Sequence, residues 1–295
     1  MAGNDSRMEG VLNLDKPEGM TSHDVVNRVR RVSGTRRVGH AGTLDPLATG
    51  VLLVCVGRAT RLSEYLLGQS KTYVATIRLG QTTNTYDAEG EVVAERPFSH
   101  LTLSTITAAL EQFRGPIQQL PPMYSAVKKN GQPLYKLARQ GVEVERPLRE
   151  VTIYQLDVQQ WQPPDLQLVL TCSSGTYVRS LAHDLGEVLG CGGHITALRR
   201  TQVGVFSVAD AVPLDNLTAE TLSQQLWATD TAVSHLPQLN LTSTEADDLC
   251  QGRWVSRQAH HPQATLARAY DAATQFIGVV TGDDETWQPK KIFHP

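Results

Sequence analysis

The densest run of reactive side chains is Gly39-His40-Ala41-Gly42-Thr43-Leu44-Asp45-Pro46-Leu47-Ala48-Thr49-Gly50. It holds one carboxylate, one imidazole, two hydroxyls, three glycines and a proline. Glycines let a backbone bend close to a ligand. Pro46 restricts Asp45 to extended geometry and so aims its carboxylate. A polar loop of this kind suits catalysis when a rigid element supports it. Three plainer readings stand beside that one. Asp-Pro opens turns on its own. Glycines cradle phosphates, although neither Gly-x-Gly-x-x-Gly nor Gly-Lys-Ser/Thr is present. His40 and Asp45 are also metal-ligand types, although no third ligand stands at a telling spacing. Residue types alone leave these alternatives open.

The elements around the loop follow from periodicity. Val11–Leu14 reads as a short strand ended by Lys16-Pro17-Glu18-Gly19. A helix follows, with Ser22 as N-cap and Val25, Val26, Val29 and Val32 at helical spacing. Arg36 to Gly50 is expected to be irregular, and Val51–Val56 a buried strand. Tyr73–Leu79, Val151–Val158 and Leu166–Cys172 alternate like half-buried strands. Leu101–Phe113 and Val178–Leu189 have helical spacing. Leu214–Val233 is acidic and is expected to include a helix. After Pro237 come strand, helix and strand signals at Leu239–Leu241, Ser243–Leu249 and Phe276–Val280. Strands without a regular βαβ rhythm predict an α+β class.

The chain of 295 residues is long enough for about two domains. Its 40% apolar content excludes global disorder. Apolar runs stop well short of the about twenty residues of a membrane helix, and the N-terminus has no apolar signal region. The chain is therefore expected to be cytoplasmic, with no membrane association. Cys55, Cys172, Cys191 and Cys250 form no Cys-x-x-Cys pair and are expected to be small, mostly buried thiols. The net charge of −3 hides an asymmetry. Through Gly204 there are 22 Lys and Arg against 19 Asp and Glu; from Val205 onward there are 5 against 11. The segment from Lys16 to Arg61 has eight basic and three acidic residues, a local patch suited either to phosphates or to a solvated helix face.

Gly39–Gly50 resembles the catalytic motif of the TruB family of tRNA pseudouridine synthases. The likeness extends in order along the chain. Asp15–Ser22, Lys71-Thr72-Tyr73 with Arg78-Leu79-Gly80, Pro121–Lys128, Gly175–Arg179 and His194–Arg200 are each similar to family motifs. Ser174 departs from the pattern, since a basic residue more often precedes Gly-Thr-Tyr there; this bears on RNA contact. The resemblance implies a pseudouridine-synthase fold with a mixed, largely antiparallel central sheet flanked by helices and loops. It also implies a small β-rich PUA-like domain. The expected organisation is a flexible tail over 1–8, a catalytic domain over 9–236 and the PUA-like domain over 237–295.

By the same resemblance, Asp45 is the catalytic carboxylate. It acts on a flipped-out uridine 55 in the T-loop of tRNA, at C1′, at C2′ or at C6. Arg179 pairs with Asp45 and is expected to lower its pKa. Tyr73 stacks on the uracil and is a candidate for removing the C5 proton. Tyr177 and Leu198 wall the pocket. His40 fills the gap left by the extruded base. Lys16 supports the site through the first loop. Arg28, Arg30, Arg31, Arg36, Arg37, Arg199 and Arg200 are expected to contact phosphates. The reaction implies no cofactor and no metal. The expected partner is the T-arm of tRNA, with the protein a monomer and no obligatory protein partner. Competing readings are a tRNA-folding chaperone, alone or alongside catalysis, a guide-RNA-dependent relative, and a glycosidase. The last normally needs a second paired carboxylate, and the loop offers only Asp45.

Overall fold

The computed structural model describes residues 8–125, 128–129, 131–138, 140–142 and 144–293. Of the expected features, the tail up to Arg7 and Ala126 and Val127 of the Pro121–Lys128 motif lie outside these residues.

The chain opens with β1 (Gly10–Lys16), α1 (Ser22–Ser33), β2 (Val38–His40) and β3 (Thr49–Val56), then α2 (Ser63–Leu67) and β4 (Lys71–Leu79). Next come β5 (Gln81–Thr83), β6 (Val92–Glu95), α3 (Leu103–Leu110), β7 (Gly115–Gln119), β8 (Lys128–Lys129), β9 (Gln132–Pro133) and α4 (Leu134–Ala138). The long strands β10 (Arg149–Gln162) and β11 (Asp165–Cys172) lead into α5 (Val178–Val188) and β12 (Gly193–Val203). Short pieces follow: β13 (Phe206–Ser207), β14 (Val212–Pro213), α6 (Leu222–Gln225) and β15 (Leu226–Trp227). The last group is β16 (Gln238–Asn240), α7 (Ser243–Cys250), β17 (Val255–Ser256), β18 (Leu266–Tyr270), β19 (Phe276–Gly282) and β20 (Thr286–Ile292).

The main sheet runs β14-β1-β3-β12-β4-β11-β10-β7, with β2, β13 and β15 as side additions. Two of its pairings are parallel, β1 with β14 and β3 with β12; the others are antiparallel. This is the mixed, largely antiparallel sheet that the sequence led one to expect. Strand β3 is buried on both faces, which its unbroken apolar run requires. Leu52 and Val54 face one core with α1, α3 and α5, while Val51, Leu53 and Cys55 face another. That second core also takes in Val279 and Phe293, so the C-terminal sheet shares a core with the back of β3.

The C-terminal sheet has the order β16-β18-β19-β20-β17 and its own core around Leu239, Leu249 and the fully buried Trp287. Polar contacts join it to the main body. Arg61 Nη1 donates to the Ile292 carbonyl at 2.6 Å, and Lys291 pairs with Glu64 at 2.9 Å.

Several expectations need correction. The cap of α1 is Thr21, whose hydroxyl accepts from the Asp24 amide while Asp24 accepts from the Thr21 amide. Met8 packs against the core and Glu9 pairs with Arg58, so the fold begins before the expected end of the tail. Residues 36–50 are not wholly irregular, because Val38–His40 pairs with β3. The helix expected within Leu214–Val233 is present but short, the four-residue α6, followed by β15 and flanked by 3₁₀ turns. The central strand β12 was not expected as a strand, although its residues stood out as a motif. Cys55 and Cys172 are buried as expected, and burial pushes their thiols up to about 12 and about 11.

Candidate active site

The motif loop is held from both sides of Asp45. On one side, Ser22 Oγ accepts from the Leu44 amide at 2.8 Å and donates to the Leu44 carbonyl at 3.0 Å. On the other, the Pro46 carbonyl accepts from the Gly19 amide at 2.9 Å and from Lys16 Nζ at 3.2 Å. Leu44 and Ala48 are buried anchors. The loop ends at Gly50, whose φ of +97° and closeness to β12 admit no side chain. A Cβ there would lie 2.2 Å from the Arg200 carbonyl.

Asp45 meets Arg179 Nε at 3.0 Å. Arg179 stands in the first turn of α5, only 5% exposed. The start of that helix is fixed by buried Gln119, which donates to the Tyr177 carbonyl and accepts from the Tyr177 amide. The guanidinium is used on every nitrogen. Nη1 lies 3.2 Å from Asp87 and 3.0 Å from the Thr85 carbonyl, and Nη2 donates to the Tyr124 carbonyl at 2.7 Å. One cation therefore bridges two carboxylates, the geometry at which Arg is better than Lys. Asp87 is itself fixed by the Thr85 hydroxyl at 2.6 Å and the Glu89 amide at 3.1 Å. Next to it, Tyr86 adopts a left-handed φ of 65° and stacks on His183 of α5 at 3.9 Å.

The expected lowering of the Asp45 pKa is overturned. Burial pushes the carboxyl above its ordinary value, Asp87 adds to the rise, and the pull of Arg179 opposes both without winning. Solvent reaches 39% of the Asp45 side chain, on the side facing the cleft.

Asp45 and Arg179 stand where two hollows meet. The inner one, of about 260 Å³, is lined by Asp45, Tyr73, Tyr177, Arg179 and Leu198, with Lys71 and Arg200 also in its wall. Its volume falls below the roughly 300–1,000 Å³ of pockets for drug-sized ligands, so it suits one small planar ring. The outer one, of about 490 Å³, is lined by His23, His40, Asp45, Asp87, Glu89 and Tyr124 among others. Five of the seven expected site residues thus share the inner hollow. His40 faces the outer one, with its Nδ1 buried and unpartnered and its pKa lowered by burial. Lys16 lines neither. It is fully buried behind the loop, donates to the carbonyls of Pro17, Met20 and Pro46, and is lowered by burial to about 8.

Burial raises the Tyr73 phenol, with Arg200 beside it pulling down. A phenol in that state stays protonated at neutral pH and is a poor base in the free enzyme. Arg200 is only 1% exposed and donates to the carbonyls of Val51, Thr43 and Gly42. Arg199 is paired with Asp15 at 2.7 Å. Arg200 is therefore withdrawn from the expected phosphate surface, and Arg199 is half-neutralised. Arg30 holds the Val38 carbonyl, while Arg31, Arg36 and Arg37 remain exposed.

Residues to which the sequence gave no part include Asp87, and also Lys71 and Ser125, which were quoted only as members of motifs; the buried Ser125 hydroxyl borders both hollows and has no partner among the described residues. Asp87 carried a faint signal in the turn-forming Asn84–Gly90 run. Among the described residues no group of His, Cys, Asp and Glu is arranged to hold a metal ion, and no helix is long and apolar enough to cross a membrane.

Comparison with known proteins shows the family. The profile described as TruB family pseudouridylate synthase (N terminal domain) matches residues 30–178. That of the tRNA pseudouridylate synthase B C-terminal domain matches 179–238, and that of pseudouridine synthase II TruB, C-terminal, matches 237–293. The tRNA pseudouridine synthase B of Pseudomonas aeruginosa (strain UCBPP-PA14) is 46% identical, covering 97% of this chain and 96% of that one. Its counterpart in Aeromonas salmonicida (strain A449) is 44% identical, covering 94% and 91%. Among solved structures, a chain of a Cbf5–Nop10–Gar1 complex superposes with a TM-score of 0.78 at 27% identity, covering 98% of this chain and 86% of that one.

Proposed function

This chain belongs to the TruB family of pseudouridylate synthases, and from that premise we propose that it isomerises uridine 55 in the T-loop of tRNA to pseudouridine. The observation that carries the reading is Asp45 held by Arg179 at the mouth of a one-ring hollow walled by Tyr73, Tyr177 and Leu198. Its relatives are tRNA pseudouridine synthases by name, and the resemblance in the motif loop assigns the carboxylate its part.

In this reading the uridine leaves its stack and its ring enters the inner hollow. The Asp45 carboxylate meets the ribose as the C1′–N1 bond breaks. The ring turns within the hollow, C5 bonds to C1′, the C5 proton leaves, and N1 gains a proton. No oxidant is consumed. Arg179 aims Asp45 and supports its ionised form against burial. His40, in the outer hollow, meets the space from which the base came, returning part of the few kcal/mol that extrusion costs. Arg31, Arg36 and Arg37 supply phosphate contacts, which position the RNA without reading its sequence. The RNA fold carries the recognition. The protein acts as a monomer in the cytoplasm without an obligatory protein partner, its catalytic part reaching to about residue 236 and a PUA-like part following.

The test is direct. Incubation with an unmodified T-arm hairpin and a full tRNA transcript, followed by mapping of modified positions, is expected to place one pseudouridine at position 55. Asp45→Asn keeps shape and deletes charge; it is expected to bind the RNA and leave every uridine unchanged. Turnover by that variant, or a product at another position alone, refutes the reading.

A further inference from the structure

The inner hollow carries more positive charge than its carboxylates balance. Arg179 is already shared between Asp45 and Asp87. Two further cations, Lys71 and Arg200, stand in the same wall. They come from adjacent strands, β4 and β12, where Arg200 sits opposite Tyr73 and Lys71 lies two residues away on the same strand face. Lys71 is 7% exposed, and its ammonium donates to the carbonyls of Leu67 and Gln69, both at 2.6 Å. Among the described residues no carboxylate lies within 4.0 Å of either cation. An ammonium has three N–H groups, and two carbonyls leave one.

Burying two cations with no carboxylate beside them is unfavourable, and burial lowers Lys71 to about 8. A fold that retains such an arrangement beside a ligand hollow is set up for negative charge that arrives only with the ligand. Resting on the pseudouridine synthase reading, the source of that charge is defined. When the C1′–N1 bond breaks, its electron pair stays with the ring. The uracil is then an anion, its charge shared among N1 and the two carbonyl oxygens, until C5 bonds to C1′; loss of the C5 proton is afterwards balanced by protonation of N1.

We propose that Lys71, with Arg200 behind it, forms a cationic floor that stabilises the detached uracil anion during its rotation. Arg200 has a second duty, since it also supports the carbonyls of Gly42 and Thr43 in the motif loop. Lys71 is held by the carbonyls of Leu67 and Gln69, outside that loop, and is the cleaner residue to test.

The experiment compares two T-arm hairpins, one with uridine and one with 5-fluorouridine at the target position. Fluorine withdraws electrons from the ring and makes its anion easier to form, so the modified substrate depends less on the protein's cation. The readout is the single-turnover loss of the nitrogen-linked nucleoside after nuclease digestion, because the fluorinated product has no C5 proton to lose. Lys71→Gln keeps a donor and removes the charge. It is expected to slow uridine by about 10²-fold, the typical effect of removing one charge-stabilising donor, and 5-fluorouridine by about tenfold or less. Lys71→Arg is expected to recover most of the rate, and RNA affinity is expected to be unchanged in both variants. If the Gln variant does not fold, Lys71→Met carries the same comparison. Equal slowing on both substrates, or no slowing, overturns the proposal. A wild-type protein that left all uridines nitrogen-linked would instead strike the functional reading itself.

Discussion

Replacing Arg179 by Gln removes the cation that faces Asp45 while keeping a planar group able to bond the Thr85 or Tyr124 carbonyl. The guanidinium nitrogen lies 3.0 Å from the carboxylate. With charge centres about 4 Å apart and an effective dielectric of about 20, their attraction is about 4 kcal/mol. Solvent reaches 39% of the Asp45 side chain, so screening reduces the usable part to about half, or about 2 kcal/mol. That corresponds to about thirtyfold in the balance between ionised and neutral Asp45. The sign follows from the site. Burial already holds this carboxyl above its ordinary range, and Arg179 is the chief force pulling it down. Without the cation the carboxyl moves further up, and a smaller fraction is ionised at any given acidic pH. The assay is a single-turnover pH profile at saturating enzyme. The acid limb is expected to move upward, with a rate loss of about thirtyfold below the limb that shrinks as pH rises. A loss of the same size at every pH, with the limb unmoved, would refute the claim that Arg179 controls Asp45 ionisation.

Asp87→Asn acts with the opposite sign on the same profile. Asp87 raises the Asp45 pKa, so its neutralisation is expected to move the acid limb downward, while the loosened guanidinium lowers the plateau by about tenfold. Ser22→Ala deletes both bonds to Leu44 at a buried position and is expected to destabilise the fold by about 1–3 kcal/mol in denaturant titration; an unchanged midpoint would show the loop to be held by its other contacts alone. RNA affinity is expected to fall steeply with salt, and the combined change of Arg31, Arg36 and Arg37 to Ala to reduce the log–log slope by about three; an unaltered slope would place the phosphate contacts elsewhere.

The sequence made the membership of the candidate site legible and left its mechanics obscure. Gly39–Gly50 drew attention as the densest run of reactive side chains, and the family resemblance chose among its readings. Tyr73, Tyr177, Arg179 and Leu198 came with the family pattern, and all four line the hollow that Asp45 opens into. Strand β12 was missed because Arg199, Arg200 and Thr201 break its apolar alternation. An arginine in such a strand signals a surface until the structure shows three carbonyls around it. The same concealment turned Arg200 from an expected phosphate contact into a buried support. The direction of the Asp45 shift was unreadable because it is a contest between an attractive charge and the loss of water. Periodicity can hint at the second but cannot weigh it. Asp87 escaped because its role depends on a turn held to α5 by the Tyr86–His183 stack, a pairing of residues far apart in the chain.

Asp45 is clamped by contacts to the residue before it and the residue after it, one from a helix and one from a strand end. A carboxylate so fixed has little freedom to follow its substrate, so the deformation needed for reaction falls on the nucleic acid. Strands in which the target nucleotide is already loosely stacked begin closer to the reactive arrangement than strands in which it is firmly paired. In the proposed reaction, RNA sites of like fold would then be ranked by how readily each one yields its nucleotide, before any edge of the base is read.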